Sequence, residues 1–187
     1  MRTIEATAPR ALLLALLCLT GASHVDGQVR RGRAIDTGPG WAPIAIGVQA
    51  GYDQKSQAEL LGGQIRIPVI RSGAVEIVPN AHVVFLNNNK EYQYNIDAVY
   101  VFGDARGAAF AGGGIGWRDT VLGAPIGVPR ATLSGYSLVF GAKSGGAGFL
   151  STQIEARWIF LNDSDFQPLA FSLGLNFSLW RRRPAGA

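Results

Sequence analysis

The stretch most open to a chemical reading is "AFAGGGIGW", residues 109–117, with four glycines in five positions. Clustered glycines can cradle a phosphate. A dinucleotide fingerprint needs G-x-G-x-x-G at the opening of a helix. Gly112 and Gly114 have the first spacing, but Trp117 stands at the last glycine position and no helical pattern follows. "GAKS" at 141–144 lacks the glycine directly before the lysine that a phosphate loop requires. His82 is the one histidine downstream of residue 27 and thus the candidate general base there. Ser137, Ser151 and Ser172 are candidate hydroxyls, none of them tied to His82 by spacing. The charged residues Arg66, Glu76, Asp97, Glu155 and Arg157 are scattered along the chain, and their chemistry depends on the elements that carry them.

Residues 1–27 read as a secretory signal peptide, with Arg2 and Arg10, the apolar run "ALLLALLCL" and a small-residue exit. The run falls short of the roughly 20 apolar residues of a spanning helix. Ala22, Ser23 and Gly27 are candidate cleavage points, and Gly27 is preferred. Cleavage there removes Cys18 and His24, which leaves no disulfide, no thiolate nucleophile and no His/Cys metal cluster. No cofactor is expected.

The formal charge is +4, and the leader carries two basic and two acidic residues, so +4 survives cleavage. Six of the remaining basic residues form two tufts, Arg30, Arg31 and Arg33 in the basic segment 28–40, and Arg181–Arg183 in the tail 181–187. The body between them is slightly acidic. A groove tracking nucleic acid is therefore not indicated.

After residue 40 the pattern has a period of two, the signature of half-buried strands. Eight such segments are expected, near 43–53, 59–70, 75–86, 91–102, 107–118, 132–143, 149–161 and 167–180. In the fourth, Tyr92, Tyr94, Ile96, Ala98, Tyr100 and Phe102 alternate with Glu91, Gln93, Asn95 and Asp97. Turn-rich links such as "RSGA", "GDARG" and "SGGAG" join them. Eight antiparallel strands in sequence order point to an all-β up-and-down barrel over 41–180, because an open meander would leave exposed edges.

Alternation does not say which face is wet. One face gathers most of the large apolar side chains, too many for the interior of an eight-stranded barrel. The other holds glycine, serine, alanine and sparse polar groups, with Gln64, Arg66, Glu76, Asn80, His82, Asp97, Glu155 and Arg157 as the expected lumen network. Buried charges must pair, so this network is expected to plug the lumen, with a gated ion path as its alternative. Aromatics fall toward two rims, as at the two interfaces of a membrane barrel. Tyr52, Phe85, Tyr92, Tyr94, Trp117, Tyr136, Trp158 and Phe160 lie toward one, and Tyr100, Phe102, Phe140 and Phe177 toward the other. A strand of about ten residues, tilted, spans an outer membrane.

With these features the chain resembles the small eight-stranded outer-membrane β-barrels of the opacity-protein type, related to the membrane domain of outer membrane protein A. The resemblance covers 41–180 and rests on the leader, the eight alternating strands and the "AGGGIGW" strand. Ser172, Gly174, Phe177 and Leu179 match the family's terminal assembly signal, although "RRRPAGA" follows Trp180, where family chains usually end. The resemblance implies outer-membrane lipids and the barrel assembly machinery as partners, and a structural or surface-interaction role without catalysis or a wide pore. The segment 118–131, "RDTVLGAPIGVPRA", is the candidate contact with a protein partner. Two other readings remain. One is a secreted lipocalin-like carrier of an apolar ligand. The other is a lipid A-modifying enzyme, although the lipid-face serine expected two residues from the histidine is Val84 here.

Overall fold

A computed structural model gives the fold. It describes residues 42–87, 89–103, 107–120, 131–144, 149–162 and 167–179. Eight strands follow in order: β1 (Ala45–Asp53), β2 (Ala58–Pro68), β3 (Val75–Phe85), β4 (Lys90–Gly103), β5 (Gly107–Thr120), β6 (Ala131–Ser144), β7 (Leu150–Leu161) and β8 (Leu169–Ser178). All neighbours are antiparallel, and the sheet closes as an up-and-down barrel by pairing β1 with β8, from Ala45↔Ser178 to Asp53↔Ala170. Closure leaves no strand edge unpaired. The ends carrying Ala45 and Ser178 define the terminal end of the barrel; the β1–β2 and β3–β4 links lie at the opposite, loop end.

The observed strands match the eight periodic segments to within a few residues at each end. β5 runs through Arg118, the last residue of the fifth expected segment, to Thr120, so the segment read as a loop from 118 is shorter. The rest of that segment, 121–130, lies outside the described residues, as do the leader, the basic segment 28–40, Trp180 and the tail 181–187.

Local turn chemistry closes the hairpins. Asp53 Oδ1 accepts the backbone N–H groups of Lys55 and Ser56, both at 3.0 Å, which folds the link to β2. At the other end Gly73, with φ 73°, turns β2 into β3. The β2–β3 ladder runs to Gln64↔Asn80 and resumes at Ile67↔Ile77. Pro79 sits in the gap and has no N–H to donate.

The two faces are sharply different. Outward lie Ile46, Val48, Leu61, Ile65, Ile96, Ile115, Leu138, Ile154, Leu173 and Leu175, all exposed. Inward lie Gln49, Gln64, Arg66, Asn80, His82, Gln93, Asn95, Asp97, Arg118, Gln153, Glu155, Arg157 and Asn176, all buried. Two apolar clusters share that interior: Ala58, Leu60, Val84 and Ala170 near the loop end, and Val78, Val99, Phe110 and Val139 nearer the terminal end. The inward face is thus more apolar than its reading as glycine, serine, alanine and polar groups.

Glycine makes the narrow interior possible. Large inward side chains recurrently stand opposite a glycine on the next strand: Asn95↔Gly116, Asp97↔Gly114, His82↔Gly62, Asn176↔Gly47, Phe110↔Gly141 and Gln153↔Gly174. A Cβ on Gly116 would meet Asn95 Oδ1, and one on Gly62 the His82 ring. A Cβ on Gly112 or Gly114 would run into the carbonyl oxygens of Ala98 or Ile96. The "GGGIG" run therefore clears room for polar side chains and lets β5 approach β4 closely.

Candidate functional site: the polar lumen

The inward polar side chains form three ionic clusters along the barrel, joined by amides. Near the loop end, Arg118 on β5 is fully enclosed, at 0% exposure. Its Nη1 donates to Asp53 Oδ2 at 2.8 Å, its Nε to Glu91 Oε2 at 2.9 Å, and its Nη2 to Ser56 Oγ at 2.9 Å. One guanidinium fork thereby ties β5 to β1, the β1–β2 link and β4.

In the middle, Arg157 Nη1 donates to Asp97 Oδ2 at 2.6 Å and Nη2 donates to Glu155 Oε1 at 2.7 Å. Asp97 is also held by Asn80 Nδ2 and Ser137 Oγ, each at 2.7 Å. Asn95 Nδ2 donates to Asn80 Oδ1 at 2.7 Å, and Gln93 Nε2 to Asn95 Oδ1 at 3.1 Å. Such multiple satisfaction is what a buried carboxylate requires.

Beside this cluster runs an amide relay. Gln49 Nε2 donates to Gln64 Oε1 at 2.9 Å, and Gln64 Nε2 to Asn176 Oδ1 at 2.6 Å. His82 Nε2 lies 2.6 Å from Gln49 Oε1. Because that oxygen can only accept, Nε2 carries the proton. Toward the terminal end, Arg66 Nε donates to Glu76 Oε2 and Lys143 Nζ to Glu76 Oε1, both at 2.7 Å. Phe110 lies beneath the Arg66 guanidinium, 4.7 Å from its ring centroid.

All eight residues expected in the lumen, Gln64, Arg66, Glu76, Asn80, His82, Asp97, Glu155 and Arg157, are buried there. The network also takes in Gln49, Asp53, Glu91, Gln93, Asn95, Arg118, Ser137, Lys143, Gln153 and Asn176, which the expected set left out. Parity puts Gln49, Glu91, Gln93, Asn95, Arg118, Ser137, Lys143, Gln153 and Asn176 on the polar face of their strands, but a shared face does not say which side chains meet across the lumen. Arg118 closes the fifth segment on that face and also opens the segment read as a loop. Phe110 was hidden because an inward aromatic breaks the expected rule.

The aromatic positions expected at the two rims all carry outward parity. Tyr52, Phe85, Tyr94, Tyr100, Phe102, Trp117, Tyr136, Phe140, Trp158 and Phe177 are exposed, and Tyr92 and Phe160 half-buried. Tyr136 stacks on Phe160 at 4.8 Å and Tyr100 packs on Phe102 at 4.6 Å. On β8, Ser172 and Gly174 face inward, whereas Phe177 and Leu179 are exposed.

Space in the lumen is small. An enclosed cavity of about 10 Å³, lined by His82, Gln93, Glu155, Arg157 and Ser172 among others, has room for about one water. An apolar ligand of carrier type does not fit it. Ser137 donates to Asp97 rather than pairing with His82. No group of three or more His, Cys, Asp or Glu suited to a metal occurs among the described residues.

No family model matches the chain, and no curated protein does at a significant level. Solved structures do. The N-terminal β-barrel domain of Pseudomonas aeruginosa OprF superposes with a TM-score of 0.62 at 15% identity, over 74% of this chain and 98% of that one. Neisserial surface protein A (NspA) gives 0.49 at 11%, over 73% and 96%. The outer membrane enzyme PagL gives 0.47 at 13%, over 72% and 99%. With its closed eight-stranded sheet, polar inside and apolar outside, the chain has the fold of the small outer-membrane β-barrels.

Proposed function

We propose that this protein is an integral outer-membrane β-barrel with a structural or surface-interaction role, neither catalytic nor a wide pore. The observation that carries this reading is the inversion of its faces. Fully enclosed charges line the inside, while Ile, Leu, Phe, Tyr and Trp cover the outside. In water such an exterior is a large exposed apolar patch; in a bilayer it is solvated. Strands of 9 to 14 residues are long enough to span the hydrocarbon when tilted. The rim aromatics then meet the headgroups.

In this reading the leader directs export, the terminal end faces the periplasm, and Ser172, Gly174, Phe177 and Leu179 engage the assembly machinery. The three ion-pair clusters plug the lumen. The engaged Nε2 of His82, turned away from the lipid face, supports a role without lipid chemistry. Within the segment 118–131, the link that follows Thr120 is the proposed contact for a protein partner.

Subcellular fractionation with a sodium carbonate wash tests the reading. The protein should stay in the outer-membrane pellet and migrate faster on gels when unheated than when boiled. Release by carbonate would overturn the membrane assignment. Resolved single-channel steps of the purified protein in planar bilayers would overturn the plug.

A further inference from the structure

The outward side of the wall is not smooth. A groove of about 390 Å³ opens on it across β1 to β4. Its floor is Gly63 and Ala81, cross-strand neighbours on β2 and β3. Val48, paired with Gly63, and Tyr94, paired with Ala81, stand on its flanks. Leu61, Val83 and Tyr92 line it toward the loop end. The floor is two strands wide, about 5 Å from one backbone to the next. A helix, about 10 Å across, does not enter such a slot, whereas a polymethylene chain does. The volume holds roughly a dozen methylenes if each takes ~30 Å³, the share of a water molecule in the liquid.

Loopward of Val83 and Tyr92 stands a charged row. Glu59, Phe85 and Lys90 are cross-strand neighbours on β2, β3 and β4, and all three are exposed. Lys90 Nζ lies over the Phe85 ring, 5.5 Å from its centroid. Tyr52 on β1 continues the row beside Glu59. The row thus belongs to the aromatic belt that meets headgroups. Among the described residues neither Lys90 nor Glu59 is in an ion pair. Opposite charges therefore stand on the two sides of Phe85, about 10 Å apart at the backbone. Two residues of strand, about 7 Å, separate this row from Val83 and Tyr92.

We propose that the groove takes one acyl chain of a phospholipid with a phosphoethanolamine headgroup, whose phosphate meets Lys90 and whose ammonium meets Glu59. The proposal rests on the outer-membrane reading, which brings this face into lipid. The narrow apolar slot selects the chain, and the pair of opposite charges selects the headgroup. A purely anionic headgroup, such as phosphoglycerol or the phosphates of lipid A, satisfies Lys90 but is repelled by Glu59.

The test uses the full barrel in non-ionic detergent micelles with a trace of phosphatidylethanolamine that carries a photoreactive diazirine on one acyl chain. Peptide mass spectrometry locates the label. Insertion of the same protein into vesicles, read by heat-modifiable migration, tests the outer-membrane reading separately. In the folded wild type the label should concentrate on residues 59–65 and 79–94. Unlabelled phosphatidylethanolamine should compete roughly fivefold better than phosphatidylglycerol or lipid A, the worth of one charge at a membrane surface. Gly63→Val with Ala81→Leu fills the floor and should remove most of the label. A Cβ on Gly63 has only the Gly47 carbonyl near it, at 3.5 Å, so the wall accepts the change. Glu59→Gln should erase the preference for phosphatidylethanolamine, and Lys90→Gln should weaken competition by both phospholipids. Label spread evenly over the strands of a folded barrel would overturn the groove. Competition by phosphatidylglycerol or lipid A as strong as by phosphatidylethanolamine would overturn the headgroup, as would an unchanged preference in Glu59→Gln. Should the variants fail to fold, the wild-type label map and the order of competition decide.

Discussion

Arg118 Nη1 donates to Asp53 Oδ2 at 2.8 Å, joining strands that are 65 residues apart in the chain. The arginine has no exposed surface and the carboxylate has 1%. The same Asp53 holds the β1–β2 link through its other oxygen. This one pair thus couples a local turn to the closure of the wall.

Removing the arginine should therefore be costly. Arg118→Met leaves Asp53 and Glu91 buried without the guanidinium between them. Breaking such a pair costs about 3–5 kcal/mol. Urea unfolding of the barrel in detergent micelles should show a loss of that order. Arg118→Lys should recover only part, because an ammonium cannot reproduce the fork. A neutral result for Arg118→Met would remove this pair from the account of stability.

Gly114 and Gly107 lie on the same strand with opposite expectations. A Cβ on Gly114 meets the Ile96 carbonyl and the Asp97 backbone, whereas nothing lies within 4 Å of one on Gly107. Gly114→Ala should reduce the heat-modifiable fraction sharply, and Gly107→Ala should leave it unchanged. Equal behaviour of the two would sink the close-approach account of the "GGGIG" run.

Ile115 is 55% exposed near the middle of β5, beside Ile96 and Tyr136. If this face meets lipid, Ile115→Arg should destabilise the barrel folded into vesicles by about 2–4 kcal/mol. In a protein whose outside met water, the same change would be nearly silent. Folding titrations into phospholipid vesicles separate the two.

His82 donates to Gln49 and faces the lumen. His82→Ala leaves a buried acceptor unmatched, which costs about 1–3 kcal/mol. Mass spectra of lipid A should be the same with and without expression of the wild-type protein. A changed acylation pattern would revive the enzymatic reading.

The division between what the chain alone determined and what the fold decided follows the range of each interaction. Alternation in a pleated strand is local, with successive side chains on opposite faces. Hence eight strands, closure by antiparallel neighbours, and the inward parity of Arg66, Glu76, Asp97, Glu155 and Arg157 were legible before any coordinates. Glycines on the inward side of β5 were legible too, as was the need to pair buried charges. Partner choice was not. It depends on the register with which β1 closes on β8 and on which side chains reach across the lumen, from residues as far apart as Gln64 and Asn176. Only the closed barrel puts Arg118 beside Asp53, Phe110 beneath Arg66, and two cations on Glu76, because parity gives each side chain a face but not a height or an angle around the axis.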